Sequence, residues 1–229
     1  MKRILAFLLT MVWFVSAAPA FAQTLADPVV PDGEELVYRQ TVGSEVSQVT
    51  VKTSRKTWNG RDVYEITGSG RSEDQILRVG RPGLDQLYSF SREKHSQTTV
   101  ERQTSIVRNE IKTSEGEIVL IDFLALEFLL RGYPLDGRKT VAVRTVQESG
   151  FGFQVNRLDD AVLPVAGKNV SCYRLELALT GFLGAIFPKT VYWYSLDSPH
   201  FLVRFEGSSG APGSPKKILE LMEFPHAEP

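Results

Sequence analysis

One segment of this chain reads as a helix, and almost everything around it reads as strand. "DFLALEFLLRG", Asp122 to Gly132, is apolar at Phe123, Leu124, Leu126, Phe128, Leu129 and Leu130, and only Glu127 is clearly polar inside it. A helix that is apolar nearly all round must be buried on more than one side. Asp122 is placed to cap it, and Arg131 falls in the last turn, where a cation complements the helix dipole. Gly132 stands where a left-handed C-terminal residue is wanted. A single buried helix in a β-protein is accommodated most simply in the hollow of a bent sheet. The expected fold is therefore mainly β: a strongly curved antiparallel sheet, half-barrel or barrel-like, with one buried helix, Asp122 to Arg131, against the concave face.

The strand signals support that frame. "EELVYRQTV" begins at Glu34, and "SQVTVKTSRKTW" is joined through Asn59-Gly60 to "RDVYEITGSG". Asn-Gly between two strand-like runs predicts a type I′ hairpin, because that turn needs positive φ at both central residues. Further strand-like runs are "LDQLYSFSRE", "SQTTVERQTS", "SIVRNEIKTS", "EIVLI", "KTVAVRTVQ", "GFQVNRLD", "NVSCYRLELALTG" and "KKILELMEF". Short strands separated by regular turn signals point to one antiparallel sheet.

The first residues carry a different message. Lys2 and Arg3 precede an apolar stretch from Ile4 to Ala18, and Ala20-Phe21-Ala22 forms a small-x-small cleavage site. This is the pattern of a secretory signal peptide over 1–22, cut near Ala22. The apolar stretch is shorter than the roughly 20 residues that span a bilayer, so no integral membrane segment is expected after cleavage. The expected product is a soluble periplasmic or secreted protein. Within it, residues 23–32 read as an irregular leader with Pro28 and Pro31, 33–225 as a single β-rich domain, and 226–229 as a frayed tail.

Charge and chemistry narrow the function. The formal net charge is −1 with both signs interspersed, so no basic stripe suggests nucleic acid. Cys172 is the only cysteine, so no intramolecular disulfide can form. It sits in a strand-like run and reads as a small apolar residue, since a nucleophilic thiol would need a nearby base. His95, His200 and His226 are far apart, and no paired His or Cys spacing suggests a metal. No phosphate-binding, dinucleotide or hydrolase motif is present, so neither a cofactor nor an enzymatic activity is expected. Glu34-Glu35 and Asp159-Asp160 are neighbours that point to opposite faces of a strand, so both pairs read as solvated. Asp197, Ser198 and Pro199 read as turn chemistry rather than as an Asp197–His200 site, with the Asp197 and Ser198 side chains accepting backbone N–H groups.

A late hairpin, "TVYWYSLDSPHFLVRFEG", holds the candidate binding surface. Strand alternation separates Trp193 from Tyr192 and Tyr194. Trp193, Phe201, Val203 and Phe205 are expected on a cavity wall, with Phe123, Leu126 and Leu130 as its cover. The tyrosines are expected to turn their hydroxyls toward water or polar partners. "GFLGAIFP" offers Phe182, Leu183, Ile186 and Phe187 as a hydrophobic rim or partner contact, or as a buried crossover loop.

Three stretches together, "GEELVYRQTVG", "IDFLALEFLLRGYPLDG" and "VYWYSLDSPHFLVRFEG", resemble the domain-of-unknown-function 3108 family of exported bacterial proteins. Asp122, Leu130, Arg131, Pro134 and Gly137 look like that family's Asp-led helix ending in Leu-Arg before a short segment and a Gly. The hairpin is also similar to a passage of periplasmic lipoprotein carriers, which fold as open half-barrels covered by helices. The resemblance implies an exported binding or carrier module for an apolar or amphipathic ligand, a lipid or lipoprotein. The alternative is a non-enzymatic cell-envelope assembly or scaffold protein that contacts other envelope proteins.

Overall fold

The computed structural model describes residues 25–94, 98–103, 117–136, 140–145, 152–181, 184, 187–210 and 213–224. The export signal expected over 1–22 and the strand expected over "SIVRNEIKTS" lie outside the described residues. In chain order the strands are β1 (Glu34–Val42), β2 (Glu45–Trp58), β3 (Arg61–Ser69), β4 (Glu73–Gly80), β5 (Gln86–Glu93), β6 (Thr99–Gln103) and β7 (Ile118–Leu120). After helix α1 (Leu124–Leu129) come β8 (Thr140–Thr145), β9 (Gly152–Val165), β10 (Lys168–Leu179), β11 (Thr190–Ser195), β12 (Leu202–Ser208) and β13 (Lys216–Leu221).

All thirteen strands belong to one curved sheet, ordered β6-β5-β4-β3-β2-β1-β13-β12-β11-β10-β9-β8-β7 and not closed among the described residues. It is two meanders joined where the first strand pairs with the last, Tyr38 opposite Leu221. The Asn59-Gly60 turn has φ of 49° and 74°, the conformation this dipeptide tolerates best. β4 carries no clear signal in the sequence. Its residues "EDQILRVG" lack a clean alternation and run straight into the turn residues Arg81, Pro82 and Gly83.

The antiparallel expectation fails at one place: β7 and β8 run parallel. Parallel neighbours need a crossover connection, usually helical, and α1 is part of that crossover. This is why the helix lies on the sheet. It touches strands from both meanders at once. The Phe128 ring packs 5.1 Å from Tyr64 on β3, and the Tyr194 hydroxyl on β11 donates to the Glu127 carbonyl at 2.8 Å. Only the hollow side of a curved sheet permits both contacts.

The helix is shorter than its sequence suggests. It ends in a 3₁₀ turn, Leu130–Gly132, and its N-cap position is Phe123. The Asp122 carboxylate accepts the Ser89 hydroxyl at 3.0 Å. Gly132 is not left-handed. A Cβ there would lie 1.8 Å from the Ala26 carbonyl oxygen, and the Ala26 N–H donates to the Gly132 carbonyl at 2.8 Å. The leader, without helix or strand over 25–31, is thus packed against the core. Val30 is buried, and Asp27 accepts the Tyr64 hydroxyl at 2.6 Å.

Candidate functional site

Four tyrosines form the floor beneath α1. Tyr133, Tyr173, Tyr194 and Tyr192 follow one another with ring centroids 6.5, 5.4 and 6.2 Å apart and interplanar angles of 25°, 20° and 18°. Tyr173 and Tyr194 are direct cross-strand partners on β10 and β11. The last carbonyls of a helix lack partners of their own. Tyr194 supplies one to Glu127, and the Tyr173 hydroxyl donates to the Leu130 carbonyl at 3.3 Å. Burial pushes the Tyr192 and Tyr194 hydroxyls well above their ordinary range, so they stay neutral donors.

This reverses the expected faces of the hairpin. The tyrosines point into the hollow because their hydroxyls find helix carbonyls there. Trp193 lies half-buried on the opposite face, with the Arg204 guanidinium 5.8 Å from its ring centroid. A bulge then breaks the alternation of β12. Trp193 pairs with Arg204 while Tyr194 pairs with Leu202, which leaves Val203 as the extra residue. Leu202 takes the inward position that the sequence assigned to Val203.

Next to this floor is a cavity of about 80 Å³. Its apolar wall is built by Leu36 on β1, Val51 on β2, Ile66 on β3, Leu77 on β4, Leu202 on β12 and Leu219 on β13. Glu127, Phe128 and Arg131 close it from the helix side, and Thr53 and Gln75 add polar groups. None of the seven residues expected at a cavity lines this one. Leu126 and Leu130 are buried in the core. Phe205 packs edge-on against Tyr192 at 5.3 Å, Phe201 against Phe224 at 5.9 Å, and Phe123 against Phe153 at 4.9 Å. The helix was placed correctly, but the face it turns to the cavity is that of Glu127, Phe128 and Arg131. Of the expected rim, Phe182, Leu183 and Ile186 lie outside the described residues, and Phe187 is half-buried.

Arg131 and Glu34 form the strongest polar feature near the cavity. The Arg131 guanidinium donates to both Glu34 carboxylate oxygens, at 2.6 and 2.9 Å, and to the Pro199 carbonyl at 3.1 and 2.9 Å. Arg131 is 4 % exposed and Glu34 6 %. The expectation that Glu34 is solvated is therefore wrong, while its neighbour Glu35 is exposed, as alternation requires. The clamp ties the helix end to β1 and to the β11–β12 turn. In that turn the hydrogen bonds run to the backbone of Asp197: the Ser195 hydroxyl and the His200 N–H both donate to its carbonyl.

Glu127 is different. It projects from α1 into the cavity, and no hydrogen bond or ion pair reaches its carboxylate among the described residues. Burial pushes that carboxyl above its ordinary value, and the Lys217 ammonium draws it part of the way back. Cys172 is buried, and burial pushes its thiol up to about 12, which makes it inert as a nucleophile at neutral pH. Among the described residues no group of three or more His, Cys, Asp or Glu could hold a metal ion, and no helix is long and apolar enough to cross a membrane.

No family model matches the chain, the domain-of-unknown-function 3108 family included, and no curated protein matches it. Several solved structures do. The hypothetical lipoprotein YmcC from Escherichia coli matches 85% of this chain and 89% of its own, at 10% identity and a TM-score of 0.36. A β-barrel-like protein of domain-of-unknown-function family DUF1849 from Brucella abortus matches 87% and 97%, at 8% identity and 0.37. A DUF1329 family protein from Desulfovibrio piger matches 82% of each chain, at 11% identity and 0.29. The likeness is one of general shape, and the reading below rests on this chain's own residues.

Proposed function

We propose that this chain is an exported, non-enzymatic binding or carrier module for an apolar or amphipathic ligand of the lipid class, acting in the periplasm. The observation that supports it most is the cavity under α1. Six aliphatic side chains from both meanders converge on one space, and a few polar groups stand at its helix side. That is the composition of a small-molecule site. Among the described residues the sheet is not closed, so the hollow can widen without breaking a closed hydrogen-bond ring. The test is to purify the protein from its native compartment without detergent, extract it for mass spectrometry, and titrate it with an apolar fluorescent dye. A co-purifying lipid, and a dye signal abolished by Leu77→Trp, would support the reading. An empty extract together with no dye binding would end it.

The cavity volume favours a second reading. About 80 Å³ is well below the roughly 300–1,000 Å³ of drug-sized sites. In that reading the hollow is core, and the chain acts as an envelope assembly protein through its outer surface. The same experiment separates the two, because a scaffold stays empty.

A further inference from the structure

The leader lies in line with the cavity. Along β2 and β3 the paired residues Val51–Gly68 and Thr53–Ile66 line that space. Faces alternate along a strand, so the next pair on the same face is Arg55–Tyr64, and this pair holds the leader. The Arg55 backbone N–H donates to the Asp32 carboxylate at 2.7 Å, and its guanidinium donates to the Val30 carbonyl at 2.8 Å. The Tyr64 hydroxyl donates to Asp27 at 2.6 Å. The helix side repeats the step: Arg131 lines the cavity, and the Ala26 N–H donates to the next residue, Gly132. Val30, fully buried, fills the core beyond the cavity's end. The seating is also strained. Val29 has a φ of 50°, an outlier for a β-branched residue, and the Asp27 carboxylate holds it there by accepting the Val29 N–H at 2.9 Å.

We infer that the leader, residues 25–32, is a displaceable plug, and that its seat is the inner half of the ligand site, taken by the far end of a single alkyl chain. This rests on the binding-module reading and accounts for the small volume of the cavity, which is the part of the hollow the plug leaves open. Withdrawal breaks little. Pro28 and Pro31 have no N–H to give to a ladder, and among the described residues 25–31 makes one backbone-to-backbone hydrogen bond, that of Ala26 to Gly132. Withdrawal also relieves the Val29 backbone. An alkyl chain replaces the buried contacts of Val30 with contacts of the same kind, and the freed Asp27 and Arg81 side chains, both charged, pass into water. The step from one inward pair to the next is two residues, roughly 7 Å along the strand. A short ligand therefore fits beside the seated plug, and a longer one must displace it.

The test uses the whole protein and two probes, butanol and octanol, followed by NMR. Chemical shifts of cavity residues report binding, and hydrogen exchange of the Ala26 amide reports the plug. Octanol at about ten times its Kd for the open form should raise that form, and with it the Ala26 exchange rate, roughly tenfold. Butanol should bind and leave that rate unchanged. Asp27→Ala removes the acceptor of Tyr64, Arg81 and Val29, and should tighten octanol binding roughly tenfold without altering butanol. Val29→Gly relieves the strained turn, seats the plug more firmly, and should weaken octanol severalfold. If octanol binds while Ala26 exchange is unchanged or slowed, or if butanol frees Ala26 as readily, the plug assignment is overturned and the carrier reading survives. The wild-type comparison decides this even should a variant fold poorly. If neither alcohol shifts resonances of cavity residues, both readings fall together.

Discussion

Removing Arg131 is the most informative single perturbation of this fold. Its guanidinium makes four hydrogen bonds, two to Glu34 and two to Pro199, in surroundings where neither charge meets water. Arg131→Met keeps the length of the side chain but strands the Glu34 carboxylate, and Glu34→Gln strands the guanidinium. Removing one partner of a buried ion pair costs about 3–5 kcal/mol. Domains of this kind are stable by about 5–15 kcal/mol in total, so either single variant should lose about a fifth of its margin or more. Replacing both, as Arg131→Met with Glu34→Leu, leaves no buried charge. The remaining loss is that of the Pro199 carbonyl's donors, about 1–3 kcal/mol. The double variant should therefore be no worse than either single one, with a coupling energy of at least about 2 kcal/mol. Urea unfolding followed by the fluorescence of Trp58 and Trp193 measures all four corners of the cycle. Additive single losses, or singles each costing under about 1 kcal/mol, would refute the buried clamp.

Three other outcomes are expected. Tyr194→Phe removes the donor to the Glu127 carbonyl and should lower stability by about 1–3 kcal/mol, read as a shifted urea midpoint at unchanged slope. Gly132→Ala forces a methyl group onto the Ala26 carbonyl, so limited proteolysis should cut within 25–32 before any other described segment. Glu127→Gln tests the half-buried carboxyl through pH. Because burial raises its value in the folded state, the folded protein holds that proton more tightly than the unfolded chain. Stability from this group is complete below the ordinary glutamate value and is lost as pH rises through the raised one. The variant should lack that loss, so its melting temperature relative to wild type should climb as pH rises above the ordinary glutamate value. Parallel curves would contradict it.

Much of the architecture was legible because it follows from local rules. Asn59-Gly60 dictates its own turn, and the all-round apolar run from Phe123 to Leu130 could only be buried. The site was less legible, for two physical reasons. Alternation separates Trp193 from the tyrosines but does not say which set points inward. That choice depends on the helix carbonyls that accept the Tyr173 and Tyr194 hydroxyls, which are distant in sequence. Likewise, the bulge at Val203 moves Leu202 into the hollow, and no turn residue announces it. Arg131 was read only against the helix dipole, although its partner Glu34 stood in a strand with an exposed-looking neighbour. One signal was present from the start. Glu127 is the only clearly polar side chain in an otherwise apolar helix, and it is one of the side chains that the helix turns to the cavity.

The pairing of β1 with β13 sets an order of events. Every other antiparallel pairing joins strands that are successive in the chain, and each can form as soon as its hairpin exists. The contact of Tyr38 with Leu221 must wait for the final strand, and so must the neighbouring wall of the cavity, where Leu36 meets Leu219. A chain threaded through a membrane from its N-terminus would therefore emerge as an incomplete, open sheet. The hollow would come into being only when the last residues had crossed, so that, on the proposed carrier reading, the protein would become competent to hold a ligand only at the moment its delivery was complete.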